Sequence, residues 1–225
     1  MTILTVGSEN SHDECRAKFG GQHNYISTQG QEIEEKLFSE IDVVFDFTIA
    51  DFPHQMEVYG NHPKLTVFLN TTLKNLQELG SHVDHKLSAS VFGFCGLPTF
   101  LNRPVLETSL YKEFDGNKLM TICEQLKTEY VTVEDSVGLV TPRVICMIIN
   151  EAYFTVEEGT ATREDIDLAM KLGTNYPYGP FEWAQKIGIR NVYKVLRAVY
   201  EDTKDERYKI CPLLRKESLL PIDSF

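Results

Sequence analysis

Basic side chains are scarce in this chain. Its 225 residues carry 22 Lys and Arg against 33 Asp and Glu, a formal charge of −11. That balance repels phosphate backbones and anionic headgroups, so neither nucleic acid nor a membrane surface is an expected partner. Long hydrophobic runs are missing too, and no segment is predicted to span a bilayer. The short apolar start Ile3-Leu-Thr-Val6 lacks the basic leader of a secretory signal. The five cysteines, Cys15, Cys95, Cys123, Cys146 and Cys211, are odd in number and scattered without metal-type spacing. They argue against a disulfide framework and against a metal site, and the reading is of a reduced, cytoplasmic protein. Glycine is short where a nucleotide would need it: Gly7-Ser-Glu-Asn-Ser-His-Asp13, after the first apolar run, holds one.

What is present is ordinary for a soluble globular protein, with 42% hydrophobic and 24% charged residues. The length suits two modest domains, placed at residues 1–112 and 113–225. Strands are predicted at Thr2 to Val6, Asn24 to Ser27, Ile41 to Phe47, Leu65 to Leu69 and Ser90 to Phe94. Helices are predicted around Glu32 to Phe38 and Leu73 to Leu79. Strand-helix-strand repetition of this kind implies a parallel sheet. After about Asp115 the pattern reads as helices alone. Thr141 is expected to cap a helix with Pro142 in its first turn, running on to a stop at Gly159. Thr162 with Asp165 has the spacing of a capping box for the next helix, which Gly173 would end. Tyr176-Pro-Tyr-Gly-Pro180 is read as a turn launching a helix through Phe181 and Trp183 to Gly188. A last amphipathic helix covers about Asn191 to Tyr200, and the tail through Pro212 and Pro221 is expected to be loose.

Gly138-Leu-Val-Thr-Pro-Arg143, Asn150-Glu-Ala152 and Gly173-Thr-Asn-Tyr-Pro-Tyr-Gly-Pro-Phe-Glu-Trp183 follow one another in an order that resembles the C-terminal domain of the 3-hydroxyacyl-CoA dehydrogenases. The Asn-Tyr-Pro-x-Gly-Pro form is closest to the second of two such repeats in longer family members, which serves packing and dimerisation. The resemblance implies an α/β fold: a shortened Rossmann-like parallel-sheet domain followed by an all-α domain. It implies an oxidoreductase of fatty-acid metabolism that passes hydride between a 3-hydroxyacyl-CoA and NAD. It also implies a homodimer, built on the helices around Val144 to Tyr153 and Asn191 to Tyr200.

The same resemblance places four catalytic positions. Leu69-Asn-Thr-Thr72 matches the family's Asn-Thr-Ser segment, so Thr72 falls on the serine that hydrogen-bonds the substrate oxygen. Phe92-Gly-Phe-Cys-Gly-Leu-Pro98 matches the stretch that carries the catalytic histidine, with Cys95 in the histidine's place. Glu107 falls on the orienting glutamate, and Pro142 on an asparagine. One position is kept, one is changed conservatively and two lose their chemistry, because cysteine is a poor general base and proline has no side-chain donor. A carboxylate at Glu107 would raise the Cys95 thiol pKa and oppose a thiolate.

Cofactor binding meets a similar obstacle. A dinucleotide fold needs a glycine-rich turn so that the backbone can approach the pyrophosphate at a helix N-terminus. Here Gly7 and Ser8 remain as cofactor-binding candidates. Ser11 and Glu14 have capping-box spacing, Glu9, Asp13 and Glu14 add negative charge, and Ser27-Thr-Gln offers no acid for a ribose. Simpler roles compete at each site. Cys95 can be a small buried residue, Glu107 a solvated acid, Phe181 and Trp183 core, and His54, His62, His82 and His85 surface groups. The second functional reading is a non-catalytic dimeric module that binds an acyl-CoA-like ligand or a partner.

Overall fold

The computed structural model describes residues 1–30, 33, 35–81, 83 and 86–220. The chain divides into a unit of residues Met1–Leu139 and a second unit that begins at Val140.

The first unit is built on strands β1 (Thr2–Val6), β2 (Asn24–Thr28), β3 (Val43–Asp46), β4 (Thr66–Asn70), β5 (Ser90–Phe94), β6 (Val105–Leu110) and β7 (Glu129–Thr132). They form one sheet in the order β2-β1-β3-β4-β5-β6-β7. All neighbouring pairs are parallel except β5 with β6, where Gly93 faces Ser109 and Phe94 faces Thr108. Helices α1 (Glu9–Phe19), α2 (Gln55–Gly60), α3 (Leu76–Gly80) and α4 (Gly116–Leu126) connect and cover the strands. Strands buried on both faces read as near-continuous apolar runs, and this sheet has two cores to match. One gathers Leu4, Val6, Val44, Val67 and Val91 against Met56, Leu76 and Leu79. The other gathers Ile3, Val43 and a row of phenylalanines against Cys15, Phe19, Leu119 and Ile122. In that row Phe19 lies 4.9 Å from Phe45, Phe45 stacks on Phe68 at 4.7 Å, and Phe68 lies 5.3 Å from Phe92.

Three expectations change here. Strand β7 and helix α4 belong to the sheet unit, so the division falls after Leu139 rather than after residue 112, and the chain beyond Asp115 is not helical alone. Helix α1 is capped by Ser8, whose hydroxyl accepts from Ser11 N, so the helix starts one turn earlier than a cap at Ser11 would allow. The helix predicted over Glu32 to Phe38 is a 3-10 turn at Glu35–Ser39 where it is described. Gln31, Glu32 and Glu34 lie outside the described residues, as do His82 and His85.

The second unit packs α5 (Thr141–Glu157), α6 (Arg163–Thr174), α7 (Pro180–Ile187), α8 (Ile189–Thr203) and α9 (Pro212–Ser218). Thr141 lies inside α5 rather than capping it: Val140 takes the cap position without a side-chain bond. Thr162 does cap α6, accepting from Asp165 N at 3.2 Å. That helix runs past Gly173 to Thr174 and stops at Asn175, whose left-handed conformation (φ 55°) ends it; asparagine tolerates that region, so glycine is not required. Asp167 reaches back to cap α7, accepting from Phe181 N at 2.8 Å and Glu182 N at 3.1 Å. The tail is ordered through Leu220, because buried Asn150 donates to Lys209 O at 3.0 Å and accepts from Cys211 N at 2.9 Å. Pro221 lies outside the described residues.

Helices α5 and α8, proposed for dimer contact, pack on each other. Ile145, Ile149, Val192, Val195, Leu196 and Val199 are buried within the unit. Exposed apolar side chains of this unit include Val144 on α5 and Leu168 and Leu172 on α6.

Candidate active site

Parallel α/β sheets present their loops for chemistry at the carboxyl ends of the strands, and Thr72, Cys95 and Glu107 all lie at or beside that edge of the first unit. Asn70, the last residue of β4, organises the region. Its Oδ1 accepts from the Thr72 hydroxyl at 2.8 Å and from Gly96 N at 3.0 Å, and its Nδ2 donates to Phe47 O at 3.2 Å. One amide therefore brings the β4 and β5 loops together and holds the loop after β3. The same geometry spends the Thr72 hydroxyl's proton on Asn70, and Thr72 is only 1% exposed. A hydroxyl in that state is not presented to a substrate oxygen.

Cys95 is buried at 5% exposure and Glu107 is half-buried. Continuing the β5–β6 register past Phe94 and Thr108 sets their backbones side by side. Sequence reasoning paired these two and missed a third group, Arg103. Burial lowers the Arg103 pKa, while the nearness of Cys95 and Glu107 raises it again. Its guanidinium rests 3.9 Å over the Phe100 ring, a cation–π contact.

The loop carrying Arg103 is anchored by α1. The Glu14 carboxylate accepts from Thr99 N at 2.6 Å, and Lys18 Nζ donates to the carbonyls of Arg103 and, at 3.1 Å, Pro104. Burial raises the Glu14 pKa, partly offset by the Thr99 and Leu101 amides it accepts from. Glu14, read from sequence as half of a capping box, is thus a loop clamp. Pro142 belongs to the second unit, in the first turn of α5, where it is buried. Phe181 and Trp183 are each 5% exposed, with Tyr153 5.0 Å from Phe181 and Tyr176 5.4 Å from Trp183; they are core.

The residues offered for NAD do not fit it. Ser8 Oγ lies 3.4 Å from Ser11 N and 3.1 Å from Ser11 Oγ, so the first turn of α1 already has an acceptor. Glu9 adds a negative charge in that turn. A Cβ built on Gly7 would stand 3.0 Å from Ser11 Oγ and 3.1 Å from Phe47 Cβ, so glycine serves close packing of the turn against Ser11 and Phe47. At the end of β3, Asp46 is fully buried, its Oδ1 accepting from Thr48 N at 2.7 Å and from the Thr48 hydroxyl at 2.9 Å. Burial pushes its pKa up to about 6, against the lowering effect of its donors. Among the described residues no group of three or more His, Cys, Asp or Glu could hold a metal ion. Among them too, no helix is long and apolar enough to cross a membrane.

Residues 138–219 match the family model of the 3-hydroxyacyl-CoA dehydrogenase C-terminal domain. The chain is 37% identical over 103 residues to 3-hydroxyadipyl-CoA dehydrogenase of Escherichia coli (strain K12), covering 46% of this chain and 22% of that protein. It is 33% identical over 168 residues to the mitochondrial hydroxyacyl-coenzyme A dehydrogenase of Mus musculus, covering 71% of this chain and 53% of that protein. These curated relatives are thus matched over a fifth to a half of their own length. The crystal structure of (S)-3-hydroxybutyryl-CoA dehydrogenase from Ralstonia eutropha superposes with a TM-score of 0.74 at 19% identity, over 96% of this chain and 92% of that one, which establishes likeness of fold. The chain belongs to the 3-hydroxyacyl-CoA dehydrogenase family, and the family's C-terminal domain is its most recognisable part.

Proposed function

We propose that this chain is a divergent 3-hydroxyacyl-CoA dehydrogenase homologue in which hydride transfer between a 3-hydroxyacyl-CoA and NAD is lost or strongly slowed. The observation that carries this reading is the Thr72 hydroxyl. Its position is changed conservatively and keeps the hydroxyl, yet that hydroxyl is buried and committed to Asn70 at 2.8 Å. Cys95 in place of the family histidine removes a positioned general base, a loss typically worth a factor of about 10² to 10⁴. Pro142 removes a donor as well. The companion reading is a non-catalytic, cytoplasmic and dimeric module that takes an acyl-CoA-like ligand or a protein partner. Arg103 favours it, because a cation beside Cys95 and Glu107 suits holding an anionic group better than accepting a proton.

A steady-state assay with acetoacetyl-CoA and NADH, followed by the loss of NADH absorbance, tests the first reading. Turnover is expected to lie at least a factor of about 10² below that of an intact family member under the same conditions. Comparable turnover would refute it. Calorimetric titration with acetoacetyl-CoA alone tests the companion reading, which requires saturable binding without turnover.

A further inference from the structure

In an open α/β sheet the ligand crevice lies outside the carboxyl ends of the strands, where the strand order reverses. Here β2 lies on one side of β1 and β3 on the other, so the order reverses between β1 and β3 and the crevice belongs outside the ends of those two strands, between the loops that leave them. The backbone of this chain occupies that space.

Gly30, two residues after β2, is buried with φ 91°, and a Cβ built there would stand 2.8 Å from Thr48 Oγ1 and 3.3 Å from Val6 Cγ1. The β2 loop thus rests directly on the end of β1 and against the β3 loop. Side chains stitch it down. Gln55 Nε2 donates to Gly30 O at 2.7 Å, and the Tyr59 hydroxyl lies 2.8 Å from both Gln55 Oε1 and Asp46 Oδ2. A phenol has one hydrogen, and the Gln55 amide orientation is fixed by its bond to Gly30. Both Tyr59 contacts are hydrogen bonds when the Asp46 carboxyl is protonated, giving a chain from Asp46 through Tyr59 and Gln55 to Gly30. Gln55, Tyr59 and Asp46 are 4%, 0% and 0% exposed, so these are interior bonds with no water competing for them. On the other flank the Phe47 ring packs 5.0 Å from Phe94, with the Phe47 carbonyl held by Asn70.

We propose that the dinucleotide crevice of this fold is filled in this chain by its own Gly30 and Phe47–Thr48, so that NAD does not bind in the position the fold provides. This goes beyond slowed hydride transfer: a chain could lose its base and still hold the cofactor. Among the described residues the connection between β2 and β3 holds one 3-10 turn, Glu35–Ser39, and its first part brings Gly30 against Val6 and Thr48.

Hydrogen exchange read by mass spectrometry on the full chain, with and without NADH at about 1 mM, tests the proposal alongside a calorimetric titration over the same range. Exchange over residues 7–12 and 28–30 is expected to be unchanged by NADH, in a protein that unfolds cooperatively. Slowed exchange of those segments with a saturable titration would overturn the inference. Such binding without turnover would leave the proposed loss of hydride transfer standing, so the two claims fail separately.

Discussion

The two units of this chain both spend polar side chains on structure, but in different places. In the second, they hold helices in place: Asp167 caps α7, Asn150 ties the tail, and Thr162 caps α6. In the first, residues at the edge where this fold does its chemistry are likewise spent on structure: Thr72 on Asn70, Glu14 on the loop after β5, Asp46 on Tyr59 and Thr48. The second unit matches the family model and holds one altered catalytic position, Pro142, while Thr72, Cys95 and Glu107 lie in the first. Shape and chemistry are therefore separable requirements. A fold persists when its caps and core persist, whatever happens to the groups that once faced a ligand.

The contrast can be broken most forcefully in the second unit's core. Trp183→Ala should destabilise by about 3 to 5 kcal/mol, since the ring is buried against Tyr176. Urea unfolding followed by circular dichroism measures this; a loss below about 1 kcal/mol would show that the helical unit does not depend on that anchor.

In the first unit the largest effect is electrostatic. A carboxyl whose pKa rises on folding contributes stability fully below its unfolded value of 3.8 and loses it as pH climbs through about 6. The change corresponds to on the order of 3 kcal/mol. Relative to Asp46→Asn, the wild-type protein should therefore lose stability between pH 4 and pH 6. Parallel denaturation curves for the two proteins across that range would contradict a protonated Asp46. The smallest effect sharpens the comparison at a single cap: Thr162→Ala should cost about 1 kcal/mol through Asp165 N, read as a small drop in the thermal midpoint.

Much of this architecture was legible in the sequence, for identifiable reasons. β1 and β5 run as predicted because each is a short, mostly apolar and almost fully buried run. β6 was missed because Val105-Leu-Glu-Thr-Ser-Leu110 mixes polar with apolar residues and runs antiparallel. β7 was missed because Glu129-Tyr-Val-Thr132 is short and mostly exposed. Ser8 and Ser11 both have cap chemistry, and only the end of β1 decides between them. Gly173 looked like a helix stop, but a glycine can sit inside a helix when Asn175 takes the left-handed turn.

The site was harder to read. Arg103 falls within the Cys95–Glu107 interval in plain view, but its role depends on the chain reversing between β5 and β6. The Gly30–Gln55–Tyr59–Asp46 chain joins residues up to 29 positions apart through the interior, and no local pattern announces it.

We propose that the family's shape survives here without its hydride transfer. A single-turnover experiment tests it most directly, mixing protein in excess over NADH with saturating acetoacetyl-CoA and following NADH absorbance. A trace that stays flat or falls only slowly, at a rate at least a factor of about 10² below that of an intact family member, is expected. Consumption of the NADH in a rapid phase would contradict it and make Cys95, Arg103 and Glu107 a working catalytic set.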